Sequence, residues 1–235
     1  MKVYVGTSGW LYDWNLDGDF KWYVRNSGLN AIELNASYYR FPYRNQVISW
    51  SKAGKDLRWS IKVHRSITHY RKLSLEAYNI WVKFHKLFEP LEDIIDFYLF
   101  QMPPTYVKNV KNVEKIINFV RKADLRGKVA IEFRHESWFN KDTVDLCRKL
   151  EITLVSIDSP IASWIIRSND TVYLRMHGRG DWYVYDYNVE ELRDLTARIY
   201  SLNPGRVYVF FNNNHWMLEN ARIMLNILKS TCKRC

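Results

Sequence analysis

Two rhythms alternate along the chain. Eight short apolar segments, rich in β-branched and aromatic residues, recur at Val3 to Gly6, Ala31 to Leu34, Trp59 to Val63, Phe97 to Phe100, Val129 to Phe133, Thr153 to Ile157, Val172 to Met176 and Val207 to Phe211. Several are continuous apolar runs rather than clean alternations, the pattern of strands covered on both faces, and therefore of parallel strands flanked by helices. Between them, apolar residues at three- and four-residue spacing predict helices over Leu75 to Phe88, Val110 to Ala123, Thr143 to Leu150, Val189 to Leu202 and Met217 to Leu228. Shorter helices are expected over Asp19 to Ser27 and Asn45 to Ala53.

Eight β units with crossovers between them, and no Pro/Gly/Ser-rich linker, predict a single closed (β/α)8 TIM barrel over residues 1–229, with 230–235 as a tail. The 235 residues suit one such barrel. Strands six and seven lie too close in sequence for a full helix, so that crossover is expected to be shortened. An open doubly wound sheet is the alternative, and it leaves the eighth strand unexplained.

Catalytic groups of barrels sit at the carboxyl ends of the strands. Here polar residues close almost every one: Ser8 and Trp10 after the first, then Glu33 and Asn35, Lys62 and His64, Gln101, then Glu132, Arg134 and His135, Asp158, Arg175 and His177, and Asn212. Glu33/Asn35, Lys62/His64, Glu132/Arg134 and Arg175/His177 are each two apart, so each pair shares a strand face and can point into the barrel mouth. Buried charges are expensive unless paired, so these residues must neutralise one another or a ligand. A structural salt-bridge layer accounts for the pairing, but not for the gathering of polar groups at one end; a ligand site accounts for both.

Lys62 could act as a Schiff-base lysine only with a depressed pKa in an apolar pocket, and its charged neighbours argue against that. Glu132, Asp158 and His177 are candidate ligands for a divalent metal such as Mg2+ or Mn2+, although no compact ligand motif is present. Neither Gly-x-Gly-x-x-Gly nor a P-loop occurs, so no nucleotide cofactor is indicated.

Charge extends the picture. Lys and Arg outnumber Asp and Glu by 35 to 25, giving a net charge of +10, which favours an anionic ligand: nucleic acid or a phosphorylated small molecule. Between Asp56 and Glu76 lie Arg58, Lys62, Arg65, Arg71 and Lys72 with no acid among them, a stretch that can bring phosphates to the mouth. Aromatic residues reach 16%, and Tyr38, Tyr39, Trp138 and Trp182 are candidates to stack bases or sugars. No apolar run is long enough to span a membrane and the first residues read as a strand, so a cytoplasmic protein is expected. Cys147 reads as a packed helical thiol, and Cys232 and Cys235 as part of the tail.

The motifs Val5-Gly6-Thr7-Ser8-Gly9-Trp10, Glu33-Leu34-Asn35-Ala36-Ser37-Tyr38-Tyr39-Arg40, Lys62-Val63-His64-Arg65-Ser66-Ile67-Thr68-His69, Phe100-Gln101-Met102-Pro103-Pro104, Glu132-Phe133-Arg134-His135-Glu136-Ser137-Trp138, Ile157-Asp158-Ser159-Pro160, Arg175-Met176-His177-Gly178-Arg179 and Phe211-Asn212-Asn213 together resemble the DUF72 (YecE-like) family over nearly the whole chain. The resemblance implies a TIM barrel with these motifs at one end, and supplies no reaction. The chain departs from the family pattern after Asn213, where Asn214 to Glu219 leads directly to Asn220-Ala221, so a tighter final loop is expected.

The leading functional expectation is an enzyme acting on a phosphorylated substrate, best matched by a phosphodiesterase or nuclease on DNA or RNA. Glu132 or Asp158 would activate water or hold the metal, with Glu33 beside them. His177 and His64 would move protons, and Arg134, Arg175, Arg179 and Lys62 would hold phosphate oxygens. Trp10, Asn35, Tyr38, Arg40, His69, Gln101, His135, Trp138 and Asn212 complete the expected substrate-binding set. Sugar or sugar-phosphate isomerase or aldolase chemistry, and a non-catalytic module for single-stranded nucleic acid, are the alternatives.

Overall fold

All eight segments become strands. In the computed structural model, which describes residues 1–125 and 127–232, the order is β1 (Lys2–Thr7), α1 (Phe20–Asn26), β2 (Ala31–Leu34), α2 (Arg44–Ala53), β3 (Arg58–Lys62), α3 (Leu75–Leu87), β4 (Ile95–Gln101) and α4 (Val110–Ala123). The chain continues with β5 (Val129–Glu132), α5 (Lys141–Lys149), β6 (Thr153–Ser159), β7 (Ala162–Trp164), β8 (Thr171–Met176), α6 (Val189–Ser201), β9 (Arg206–Phe211) and α7 (Met217–Cys232). The barrel strands pair in parallel in the order β1-β9-β8-β6-β5-β4-β3-β2, a nearly closed (β/α)8 barrel. As expected, the crossover from β6 to β8 is shortened: it holds no α-helix, only β7 folded antiparallel onto β6.

Closure falls to β1 and β2, which share the single bridge Ser8–Glu33. Side chains seal the rest of the seam. Asn30 accepts from Val5 N and donates to Val3 O, both at 2.8 Å, and the buried Tyr23 hydroxyl donates to Ala31 O at 2.8 Å. Buried backbone groups that lack a strand partner must find one elsewhere, and these two residues supply it. The strands also come close: a Cβ on Gly6 would lie 2.3 Å from Ala31 O.

Helix starts follow their caps. Asp19, Asn109, Asn140 and Asn188 each accept a hydrogen bond from a backbone N–H in the first turn of the following helix, satisfying a donor that has no partner within the helix. The main core lies between barrel and helices. A smaller one inside the barrel contains Ala31, Phe97, Leu99, Ala130, Val155, Ile157, Tyr173, Tyr208 and Phe210. Most of the aromatic excess is spent on these cores, as in the Trp10, Phe20, Trp50 and Trp59 cluster.

Cys147 is buried on α5, and burial pushes its thiol up to about 12, the packed state expected of it. The last helix runs through Cys232 and so takes in residues expected to form a tail; Cys235 lies outside the described residues. The final loop is a turn of 3-10 helix over Asn214–Trp216 that leads directly into α7. Among the described residues no helix is long and apolar enough to cross a membrane.

Candidate active site

Strand alternation decides which side chains enter the barrel. Ala31, Ala130, Tyr173 and Phe210 face inward, so the residues two further along β2, β5, β8 and β9 do as well: Glu33, Glu132, Arg175 and Asn212, with Arg134 and His177 one step beyond. In parallel register, inward-facing Gln101 lies beside Glu132, and Arg175 beside Phe210 and Ile157.

The inward groups form one network. Arg175 donates from Nε to Glu33 Oε2 at 3.0 Å, from Nη2 to Glu33 Oε1 at 2.6 Å, and from Nη1 to Glu132 Oε2 at 2.6 Å. Ser8 donates to Glu33 Oε1 at 2.6 Å and Tyr173 to Glu33 Oε2 at 2.7 Å, with Ser60 Oγ 2.7 Å from the same phenol. Arg134 Nε donates to Glu132 Oε1, while its Nη2 donates to His177 Nε2 at 3.0 Å. A guanidinium can only donate, so His177 accepts at Nε2, and the Asn212 Nδ2 amide lies 3.4 Å from its Nδ1. Tyr173 and Ser60 are members that sequence reasoning missed. For Tyr173, its position two before Arg175 on the same strand face was the available signal.

Two carboxylates thus balance two guanidiniums in a largely buried space. Burial raises the Glu132 pKa, but Arg134 and Arg175 more than offset it and hold the carboxyl well below its usual range. Burial, then Arg134 and Arg175, push His177 well down, so its imidazole is neutral. Lys62 is the third buried cation, and the charge is already balanced without it. Burial, followed by the positive charge of Arg175, lowers its ammonium to about 7. Among the described residues no carboxylate lies within 4.0 Å of Lys62 Nζ, and it makes no hydrogen bond; it rests 4.4 Å from the centre of the Tyr38 ring. His69, carried on a turn of π-helix at Ser66–Tyr70, packs edge-on against the same ring at 5.0 Å. Burial and the nearby Lys62 and Arg134 lower His69 to about 4.

The loop after β8 covers this group. Trp182 stacks over the Arg134 guanidinium at 4.2 Å and lies 5.5 Å from the His177 ring. Tyr183 sits 5.8 Å from that imidazole. Arg134 Nη1 has no hydrogen bond among the described residues. On the β1–β2 side the mouth opens into a cavity of about 210 Å3 lined by Ser8, Tyr12, Asn35 and Tyr39 among others. The Asn35 Oδ1 atom is buried without a partner.

Other expected site residues lie elsewhere. Asp158 does not join the ring: Val155 and Ile157 face the barrel interior, so Asp158 faces the helix layer, where it accepts from Arg179 Nε and the Tyr187 hydroxyl, both at 2.9 Å. Arg179 is bound to Asp158 and Glu191 instead of pointing into the mouth. Trp138 is fully buried, stacked on Phe133 at 4.0 Å with its indole N–H on Tyr106 O, so no ligand can reach its faces. His64 and His135 both turn back on their own chain, each accepting at Nδ1 from the backbone N–H two residues on, at Ser66 and Ser137. His64 therefore does not stand free to move protons. Trp10 packs in the aromatic cluster, and exposed Arg40 lines a second cavity of about 210 Å3 with Trp10, Gln46 and Trp50.

The expected metal set does not assemble. Both oxygens of Glu132 accept from guanidiniums, His177 Nε2 accepts from Arg134, and Asp158 lies on the opposite strand face. Among the described residues no group of three or more His, Cys, Asp and Glu is arranged to hold a metal ion.

A family model described as "Protein of unknown function DUF72" matches residues 4–234. A DUF72 family protein of Thermotoga maritima is 28% identical with a TM-score of 0.80, covering 99% of this chain and 100% of that one. One from Enterococcus faecalis is 22% identical with a TM-score of 0.84, covering 97% and 95%. A D-psicose 3-epimerase of Clostridium cellulolyticum, 11% identical with a TM-score of 0.59 over 100% and 98% of the two chains, shares the fold. No curated protein matches the sequence.

Proposed function

Because the chain belongs to the DUF72 family, whose description assigns no reaction, we propose its function from the site itself: an enzyme that transfers protons on a small anionic carbonyl compound, of the sugar or sugar-phosphate class. One observation carries this reading. Lys62 is a buried amine at the barrel mouth with no carboxylate partner among the described residues, near the Arg134 guanidinium, whose Nη1 a ligand acid can meet. A base works best when its pKa lies near the working pH, and an amine lowered to about 7 meets that condition. Lys62 takes the proton beside the carbonyl and returns it, Arg134 holds the anionic group through its free Nη1, and Asn35, Gln101 and Asn212 offer amides to hydroxyls.

This chemistry fits the geometry better than phosphodiester cleavage. The cleavage expected from the sequence relied on Glu132 or Asp158 to activate water or hold a metal, whereas Glu132 is held by Arg134 and Arg175 and Asp158 faces away. The test is proton exchange: glyceraldehyde 3-phosphate, dihydroxyacetone phosphate, ribose 5-phosphate and pyruvate are each incubated with the protein in D2O and followed by proton NMR. Loss of the signal beside the carbonyl for at least one compound, and its retention with Lys62→Met, is the expected result. No exchange with any of the four overturns the reading.

A second reading, capture of single-stranded nucleic acid along the rim, is favoured by one feature. Exposed Tyr39 and Tyr70 flank Arg65, whose guanidinium lies 5.9 and 5.8 Å from their rings. Stacking and phosphate contacts there predict affinity that falls steeply with salt, measured by fluorescence anisotropy on labelled oligonucleotides. Affinity unchanged by salt, or by Tyr39→Ala with Tyr70→Ala, removes it.

A further inference from the structure

We propose that Lys62 forms a covalent imine with the carbonyl carbon of its substrate, while Arg134 holds the substrate's acid group. This rests on the reading of the mouth as a carbonyl site and deepens it from proton transfer to covalent catalysis.

The geometry supplies what an imine-forming lysine needs. The nucleophile is unprotonated amine, and most lysines have almost none: at pH 7 an ordinary ammonium is free to roughly one part in a few thousand. The barrel keeps Lys62 from the usual remedy for burial, an ion pair, because both nearby carboxylates are consumed by Arg175 and Arg134. It rests instead on the Tyr38 ring, which cannot take its proton while the phenol pKa is raised, first by burial and then by Tyr39. With its pKa lowered to about 7, far more of the amine is free at neutral pH than in an ordinary lysine. The residue is 5% exposed, so water is largely kept from an imine formed there.

Addition begins with the Nζ lone pair attacking the carbonyl carbon as the C=O π pair moves to oxygen. One proton passes from nitrogen to that oxygen and gives the carbinolamine. When the second nitrogen proton reaches the same oxygen it leaves as water, and the nitrogen pair closes the C=N bond. Both amine protons end on the departing water, and no oxidant or reductant enters.

Borohydride trapping tests this. The intact protein is incubated with pyruvate, dihydroxyacetone phosphate or ribose 5-phosphate, reduced with sodium borohydride, and analysed by intact mass and peptide mapping. One reduced substrate per chain on the Lys62 peptide, from at least one compound, is the expected result. Lys62→Arg, which keeps a cation but forms no imine, should abolish the adduct. Circular dichroism confirms that this variant folds, and if it does not, the wild-type peptide map alone locates the adduct. Proton exchange in D2O without any adduct overturns the imine and leaves proton transfer standing. Neither exchange nor adduct overturns both, and adducts confined to other lysines overturn the imine.

Discussion

Arg175 grips Glu33 across the barrel with two parallel bonds, Nε to Oε2 at 3.0 Å and Nη2 to Oε1 at 2.6 Å, and no atom of either side chain is exposed. The third nitrogen continues to Glu132, so one guanidinium ties strands β2, β5 and β8 together. A planar fork that fits a carboxylate is the reason arginine fills this position, since lysine offers a point charge without that geometry.

Removing the tie should cost stability. Arg175→Met leaves Glu33 without a cation and Glu132 with Arg134 alone, and the loss expected for breaking a buried pair is about 3–5 kcal/mol. Glu132→Gln, which strips the shared carboxylate from two guanidiniums, should fall in the same range. Urea unfolding checks both; a change below about 1 kcal/mol for Arg175→Met means that the network is not structural.

Lys62 should make stability depend on pH in the alkaline direction. Its folded value of about 7 lies below the ordinary 10.5, so above pH 7 the unfolded chain holds a proton that the folded chain has released. Stability therefore rises with pH, by at most about 1.4 kcal/mol per unit, between about pH 7 and roughly pH 8, before ionisation of the Cys147 thiol in the unfolded chain opposes it. Urea midpoints across that window should climb for the wild type and stay flat for Lys62→Met; equal slopes refute the shift.

Trp138 should matter to packing and not to ligand. It is sandwiched against Phe133 and Tyr106, so Trp138→Ala opens a cavity expected to cost about 3–5 kcal/mol. The calorimetric melt should fall accordingly. A near-wild-type melt with lost ligand response would instead place this ring in the binding site.

Gly6→Ala should strike the seam of the barrel. The new methyl would meet the Ala31 carbonyl at 2.3 Å, and backbone on both sides leaves little room to yield. A loss of about 3 kcal/mol, the upper end of overpacking, is expected in urea unfolding, with earlier amide exchange in β1 and β2 than elsewhere. Uniform exchange across the sheet would argue against a local seam.

Local pattern was enough for the architecture. Ala31–Leu34 and Val110–Ala123 are a strand and a helix with the predicted bounds, because apolar periodicity and end caps act over a few residues. The two-residue spacing of Glu33/Asn35, Glu132/Arg134 and Arg175/His177 also marked the inward-facing pairs, since alternation is a property of the strand itself. Which partner each group meets depends on register and closure between strands far apart in sequence. One step of register along β6 separates inward Ile157 from outward Asp158, so a carboxylate that looks catalytic in the sequence is spent on Arg179 and Tyr187. The same holds for Lys62, whose charged sequence neighbours argued against a depressed pKa. Folding gave those carboxylates to Arg175 and Arg134 and left the amine buried without a counter-ion, because burial and charge pairing are sums over the whole barrel and no short stretch of chain contains them.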